Sequence, residues 1–273
     1  MNIAVIGANG MLGYAVSNYL KSQKENVFTI TRQEFDLAKD QFSKLEKYFV
    51  DHKIDVVINC AGVIKPMIAS TKIEDILRVN TVAPQNIGFI CTKLGIKGFH
   101  ITTDCVYSGA KGQYNEDDLF DADDVYGMSK NGGEPKNIMT LRTSIIGEEN
   151  GQARSLIEWA RSQKGKEVNG FLNHDWNGVT TYQVGKTILQ ILKSNSYKPG
   201  LYHLHSPAKV NKSELLHIFN DVYKLDLKIN SVNASSTIDR TLATKYSLSK
   251  DFVQQTIKEQ VSEMAEFFKN RKA

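Results

Sequence analysis

Runs of apolar, β-favouring residues return at intervals through the first half of the chain, at Ile3 to Ile6, Val27 to Thr31, Asp55 to Cys60, Gly98 to Thr103 and Ile138 to Ile145. Each reads as a strand. Between them the period changes to that of a helix. Met11 to Lys21 gathers Leu12, Ala15, Val16, Tyr19 and Leu20 on one side, and Ile73 to Leu94 does the same with Ile76, Leu77, Val79, Ala83, Ile87 and Ile90. Strands that are apolar throughout need cover on both faces, and strands alternating with helices are joined by right-handed crossovers. The pattern therefore predicts an α/β fold built on a doubly wound parallel sheet.

After Gly147 the rhythm loosens. A helix from about Ala153 to Gln163, a strand near Glu167 to Phe171, a helix from about Gln183 to Leu192, a strand at Gly200 to Leu204, a helix from Lys212 to Tyr223 and a last helix ending near Phe268 read as a smaller mixed α/β C-terminal lobe. The expected division is a first domain of 1–148, to which 172–206 returns, and a second lobe of 149–171 and 207–273. No Pro/Gly/Ser-rich linker or repeat separates them, which argues against two independently mobile domains.

Composition narrows the class without choosing within it. The 273 residues are 41% hydrophobic and 23% charged, with 34 Lys+Arg against 30 Asp+Glu, a globular balance with a formal charge of +4. The positive excess is spread out, and the longest local bias is the acidic stretch Glu116 to Asp124, so nucleic-acid binding has no electrostatic footprint. Cys60, Cys91 and Cys105 form no Cys-x-x-Cys pair, as expected of reduced thiols in a cytoplasmic protein. The apolar run at the N-terminus is too short for a signal peptide, and no window of roughly 18 uncharged apolar residues is present. The expectation is a protein without membrane or nucleic-acid partners, acting as a monomer or homodimer.

The first chemical signal follows the first strand. Gly7-Ala8-Asn9-Gly10-Met11-Leu12-Gly13 is Gly-x-x-Gly-x-x-Gly opening a helix. Gly7 suits a tight turn, Gly10 the approach of backbone to a pyrophosphate and Gly13 close helix packing, with the N–H groups of Asn9 to Leu12 facing the phosphates, as in a Rossmann dinucleotide site. The second strand ends in Arg32 rather than an acid, which favours the 2′-phosphate of NADPH, with NADH left open. Asp36 and Leu37, and Cys60-Ala61-Gly62-Val63 after the third strand, fall where the chain passes the adenine and the ribose.

The second signal is Tyr126-Gly127-Met128-Ser129-Lys130, preceded by Thr102-Thr103-Asp104-Cys105-Val106-Tyr107 at the end of the fourth strand. Tyr and Lys four apart share a helix face, so the ammonium is expected to lower the phenol from its usual value of about 10. A strand-end hydroxyl can hold a carbonyl oxygen as charge develops on it.

These motifs, with Asn59-Cys60-Ala61-Gly62, Asn80, Gly133-Glu134 and Leu141-Arg142-Thr143, resemble the extended short-chain dehydrogenase/reductase family, and within it the RmlD-type (dTDP-4-dehydrorhamnose reductase) group of sugar-nucleotide reductases. The resemblance covers nearly the whole chain. It implies NADPH-dependent reduction of a keto group, at C4, of a nucleoside-diphosphate 4-keto-6-deoxysugar for a surface polysaccharide. Tyr126 would then be the proton donor, Lys130 would bind the nicotinamide ribose and tune Tyr126, and Thr103 would orient the carbonyl, with Thr102 as the alternative if the register slips by one. Asp104, Trp176 and Arg240 would contact substrate, and Asn80 would anchor the active-site helices.

Departures qualify that reading. Cys105 stands where dehydratases of the group carry Glu, and Gly62-Val63-Ile64-Lys65-Pro66 replaces a polar Thr-x-Val-Asp loop, which sets the substrate apart from dTDP-4-dehydrorhamnose itself. An NAD-dependent epimerase or dehydratase and a non-catalytic NADP-binding regulatory protein remain the alternatives. His203-x-His205 lacks a third ligand and no metal site is expected. The acidic stretch Glu116 to Asp124 reads as a solvated, mobile lid.

Overall fold

β1 (Asn2–Ile6) lies between β2 (Asn26–Ile30) and β3 (Val56–Asn59), and β4 (Lys97–Thr103), β5 (Met139–Thr143) and the strand Gly200–His203 follow outward from β3, all parallel. They form a single sheet in the computed structural model, which describes residues 1–149, 151 and 154–269. After β2 the chain crosses back over β1 to reach β3. The loops leaving β1 and β3 therefore diverge, and a crevice opens at the carboxyl ends of these two strands.

Both faces of the sheet are covered, as the uninterrupted apolar strands require. On one, Ala4, Ile6 and Val57 pack against Leu45 and Phe49 of α2 (Phe42–Asp51) and Ile87 and Ile90 of α4 (Ala83–Leu94). On the other, Ile3, Val5, Phe99 and Leu141 meet Ala15, Val16 and Leu20 of α1 (Met11–Ser22) and Val184, Ile188 and Ile191 of the helix Thr181–Lys193. That second cluster continues without a break into Leu215, Phe219, Val261, Met264 and Phe268 of the last two long helices, so the C-terminal lobe shares a core with the sheet.

Two elements differ from the sequence reading. The run Ile138 to Ile145 is not one strand: β5 stops at Thr143, and Ile145–Ile146 turns away to pair with Val179–Thr180, carrying the chain out of the main sheet. The stretch Ile73 to Leu94 is not one α-helix either. A short α3 (Ile73–Leu77) passes through a π-helical turn, Arg78–Val82, before α4. The cause is Pro84, which has no N–H to offer the carbonyl of Asn80 four residues back, so the ladder widens there. The predicted helix starting at Ala153 runs from Leu156 to Ser162, and Ala153 itself lies outside the described residues.

In the smaller lobe His174–Trp176 is the centre of a three-stranded sheet between Val210–Asn211 and Ile238–Asp239, and Lys228–Val232 pairs with Glu167–Phe171. The helix Lys212–Tyr223 begins at a capping box made by Asn211 and Glu214. Among the described residues no helix is long and apolar enough to cross a membrane.

Candidate active site

The glycine turn is built by contact. Gly7 has φ +78°, and a Cβ there would stand 2.8 Å from the Ala61 Cα, so the loops after β1 and β3 touch at the crevice. Gly13 is closer still: a Cβ would meet the Gly7 carbonyl oxygen at 2.2 Å. Gly10 is the N-cap of α1 and, having no side chain, leaves the first-turn N–H groups facing the crevice, where Asn9 and Gly10 are exposed and Met11 is partly so. This is the cradle a pyrophosphate needs, positive by the helix dipole and free of side chains. Leu12 and Leu37 are buried in the core and can reach a ligand only through backbone. Arg32 is exposed and without an ion-pair partner among the described residues, beside a turn in which the Glu34 carboxylate is taken up by the Thr31 N–H and hydroxyl. Asp36 folds back to accept the Ala38 N–H at 2.9 Å.

On the far side of the crevice stand β4 and α5 (Val125–Gly132). The Asp124 carboxylate caps α5 by accepting the Gly127 N–H at 2.7 Å. Tyr126 and Lys130, one turn apart, then face the end of β4. The Thr103 hydroxyl donates to Asp104 at 3.2 Å and accepts the Cys105 N–H at 3.1 Å, and it favours the ionised form of the Tyr126 phenol that faces it. Thr102 is buried, its hydroxyl without a partner among the described residues, so of the two threonines it is Thr103 that reaches the tyrosine.

Asn80 joins the two sides. Its carboxamide is fully buried, accepts the Val63 N–H at 2.8 Å, and donates to the Val63 carbonyl at 3.0 Å and to Ser129 of α5 at 3.1 Å. Its backbone carbonyl, freed by Pro84, faces Gly133 so closely that a Cβ there would lie 1.8 Å away. The loop Cys60 to Val63 is thereby fixed against α5. A Cβ on Gly62 would stand 3.5 Å from the Lys130 ammonium, which itself donates to the Ile101 carbonyl at 3.4 Å.

The electrostatics differ from the expectation in one respect. Burial drives the Tyr126 phenol well above its ordinary range, Cys105, Asp104 and Asp124 push it the same way, and only the Thr103 hydrogen bond opposes them. Lys130 does not depress it. Lys130 is itself pulled down to about 8 by burial, against the pull of Glu134 and Cys60. Tyr126 is thus a protonated phenol at neutral pH, a donor rather than a base.

Other expectations are corrected. Trp176 is 6% exposed, packed in the core over Gly178, and has no face left for a ligand ring. The acidic stretch is fastened down rather than mobile. Glu116 binds the His203 and Lys245 N–H groups and the Thr244 hydroxyl, Asp121 accepts from Ser108, and Asp118 and Asp117 pair with Lys111 and Lys245. Among the described residues no cluster of His, Cys, Asp or Glu is arranged to hold a metal. His203 serves instead in a buried hub around Arg142, which grips Glu134 through two nitrogens and also meets the Tyr107 hydroxyl at 2.6 Å and His203 Nε2 at 2.9 Å. Spacing in the sequence gives no sign of that hub. Arg240 lies in the crevice, its Nε donating to the Tyr107 carbonyl at 2.8 Å.

Comparison with known proteins agrees with this geometry. The chain is 26% identical over 256 residues to the spore coat polysaccharide biosynthesis protein SpsK of Bacillus subtilis, covering 90% of this chain and 88% of the relative. It is 30% identical over 253 residues to the dTDP-4-dehydrorhamnose reductase of Sinorhizobium fredii, covering 86% and 84%. Among solved structures, dTDP-4-dehydrorhamnose reductase of Bacillus anthracis in complex with NADP superposes with a TM-score of 0.81 at 17% identity over 96% of this chain and 98% of that one. With residues 1–266 matching the RmlD substrate binding domain, the chain belongs to the RmlD family.

Proposed function

We propose that the protein is an NADPH-dependent reductase that acts on the C4 keto group of a nucleoside-diphosphate 4-keto-6-deoxysugar, a step in the making of a surface polysaccharide in the cytoplasm. The observation that carries the reading is the meeting of Thr103, Tyr126 and Lys130 directly across the crevice from the glycine turn. The residues fit the cofactor. A side-chain-free cradle lies at the start of α1, an unpaired Arg32 closes β2 where a 2′-phosphate would sit, and a cationic Lys130 lies beneath Gly62. NADPH, when bound, supplies the hydride.

The protein's own residues do the rest. Thr103, facing Tyr126, holds the carbonyl oxygen beside it, and Tyr126 passes its phenolic proton to that oxygen as it becomes an alkoxide. A phenol held protonated suits reduction, which consumes a proton, better than it suits oxidation. Lys130, on the same helix face as Tyr126 and packed under Gly62, is the group that would hold the ribose hydroxyls. Arg240 lies on the substrate side, with Asp104 buried behind Thr103.

Intact Thr103, Tyr126 and Lys130 weigh against a purely regulatory protein, and Arg32 and Cys105 against an NAD-dependent epimerase or dehydratase. The test is cofactor oxidation followed at 340 nm with NADPH and with NADH against a panel of 4-keto-6-deoxysugar nucleotides. Oxidation with one panel member, faster with NADPH, is the expected result. Cofactor binding without turnover on any member would favour the regulatory reading, and a preference for NADH would overturn the role given to Arg32.

A further inference from the structure

Lys212 stands out among the lysines. It is partly buried at the first position of the helix Lys212–Tyr223, and it has neither a hydrogen bond nor an ion pair among the described residues. Among the described residues nine other lysines are engaged by carboxylates within 4 Å, among them Lys65, Lys111, Lys186 and Lys209. Arg240 is in the same position: its Nε is used by the Tyr107 carbonyl, and its other nitrogens meet no carboxylate among the described residues.

The small sheet delivers both to one place. Asn211 and Asp239 pair with Asp175 from opposite edges, and Lys212 and Arg240 are the next residues of those two outer strands. Both act on buried Asp104, the neighbour of Thr103, and each acts on Cys105, so the two cations enter the crevice from the substrate lobe and face the end of β4. Asp104 cannot neutralise them. It is already engaged by Thr103 and Ser144, and burial favours its protonated form.

Asp121 and Asp124 also act on Arg240, but among the described residues no carboxylate comes within ion-pair distance of either cation. Two partly desolvated like charges facing one another are unfavourable until an anion is brought between them. We propose that Lys212 is a substrate-binding residue which, with Arg240, takes up the diphosphate of the sugar nucleotide and so places the sugar against Thr103 and Tyr126. A diphosphate suits the arrangement because it offers oxygens on two phosphorus centres to two cations arriving from different sides, one of them a planar guanidinium. The inference rests on the reading of the substrate as a sugar nucleotide and adds to it the residue that grips the charge.

Calorimetry with dTDP, UDP, GDP and CDP, without any sugar, separates the two. The wild-type protein is expected to bind at least one of them, Lys212→Met to bind it at least tenfold more weakly and with a shallower dependence on salt, and Lys212→Arg to recover most of the loss. NADPH affinity, which does not depend on that ammonium, and a melting temperature no lower than that of the wild type serve as the check that Lys212→Met is folded. A wild-type protein that binds no nucleoside diphosphate overturns the substrate class and this inference together. Equal affinity in wild type and Lys212→Met overturns this inference alone. So does a Lys212→Met protein that loses affinity for a sugar nucleotide but keeps it for the diphosphate, because the lysine would then be reading the sugar.

Discussion

Lys130 shows how a single residue sets function against stability. The residue is 5% exposed and its ammonium is pulled from 10.5 to about 8, so folding with the charge in place costs about 3 kcal/mol. The unfolded chain binds this proton more tightly, so the cost is full below pH 8 and disappears as the pH rises towards 10.5. Lys130→Met keeps the stem and removes the charge. It is expected to melt at a higher temperature than the wild type at pH 7 while losing turnover, and a lower melting temperature would show that the burial penalty is not the dominant effect. How far such residues were legible depends on whether their signal is local. Gly7, Gly10, Gly13, Tyr126 and Lys130 stand at spacings that a turn and one helical face impose, and the sequence shows them. Whether Trp176 faces a cleft or a core, and whether Lys212 finds a carboxylate, is decided by chain segments far away, so neither is legible from spacing.

At the scale of elements, the π-helical turn is the hinge of the site. Pro84 frees the Asn80 carbonyl, Gly133 comes up against it, and the Asn80 side chain ties Val63 to Ser129, so α4, α5 and the loop after β3 are held as one piece. Gly133→Ala would place a methyl 1.8 Å from the Asn80 oxygen, a distance at which backbone must move. The expected outcome is a melting temperature lowered by several degrees and a turnover reduced at least tenfold, from displacement of Tyr126 and Lys130. Thermal melts and steady-state kinetics of this variant check both, and wild-type values would mean that α5 is positioned by something else. The apolar period of 73–94 could not reveal the turn, because a one-residue widening barely shifts the buried stripe. Pro84 is the visible clue, since it denies the Asn80 carbonyl its helical partner.

Across the whole molecule, the sheet, the acidic stretch and the C-terminal segment are joined through the Arg142 hub. Arg142 is fully buried, and its partners come from four segments: Tyr107 after β4, Glu134 after α5, His203 of the sixth sheet strand and, through His203, the carbonyls of Tyr114 and Ala243. His203 accepts from Arg142 at Nε2 and is held neutral down to about 4 by burial and by that guanidinium. Unfolding lets it bind a proton below about 6.5, so stability is expected to fall as pH drops from 6.5 towards 4, and protonation of Glu116 adds to the loss. Melting temperatures that stay level over this window would show that the hub does not bear on stability. The strand order and the shared core follow from the alternation of strands and helices, which the sequence carries. The hub was not legible, because its members are scattered from Tyr107 to Ala243 and share no motif.

The central claim is that Tyr126 donates the proton in a reduction. Its most direct test compares Tyr126→Phe with the wild type on whichever sugar nucleotide the panel selects, measuring turnover and NADPH affinity together. The expected result is turnover lower by roughly two to four orders of magnitude with NADPH affinity nearly unchanged. A variant that retains most of its turnover would contradict the account.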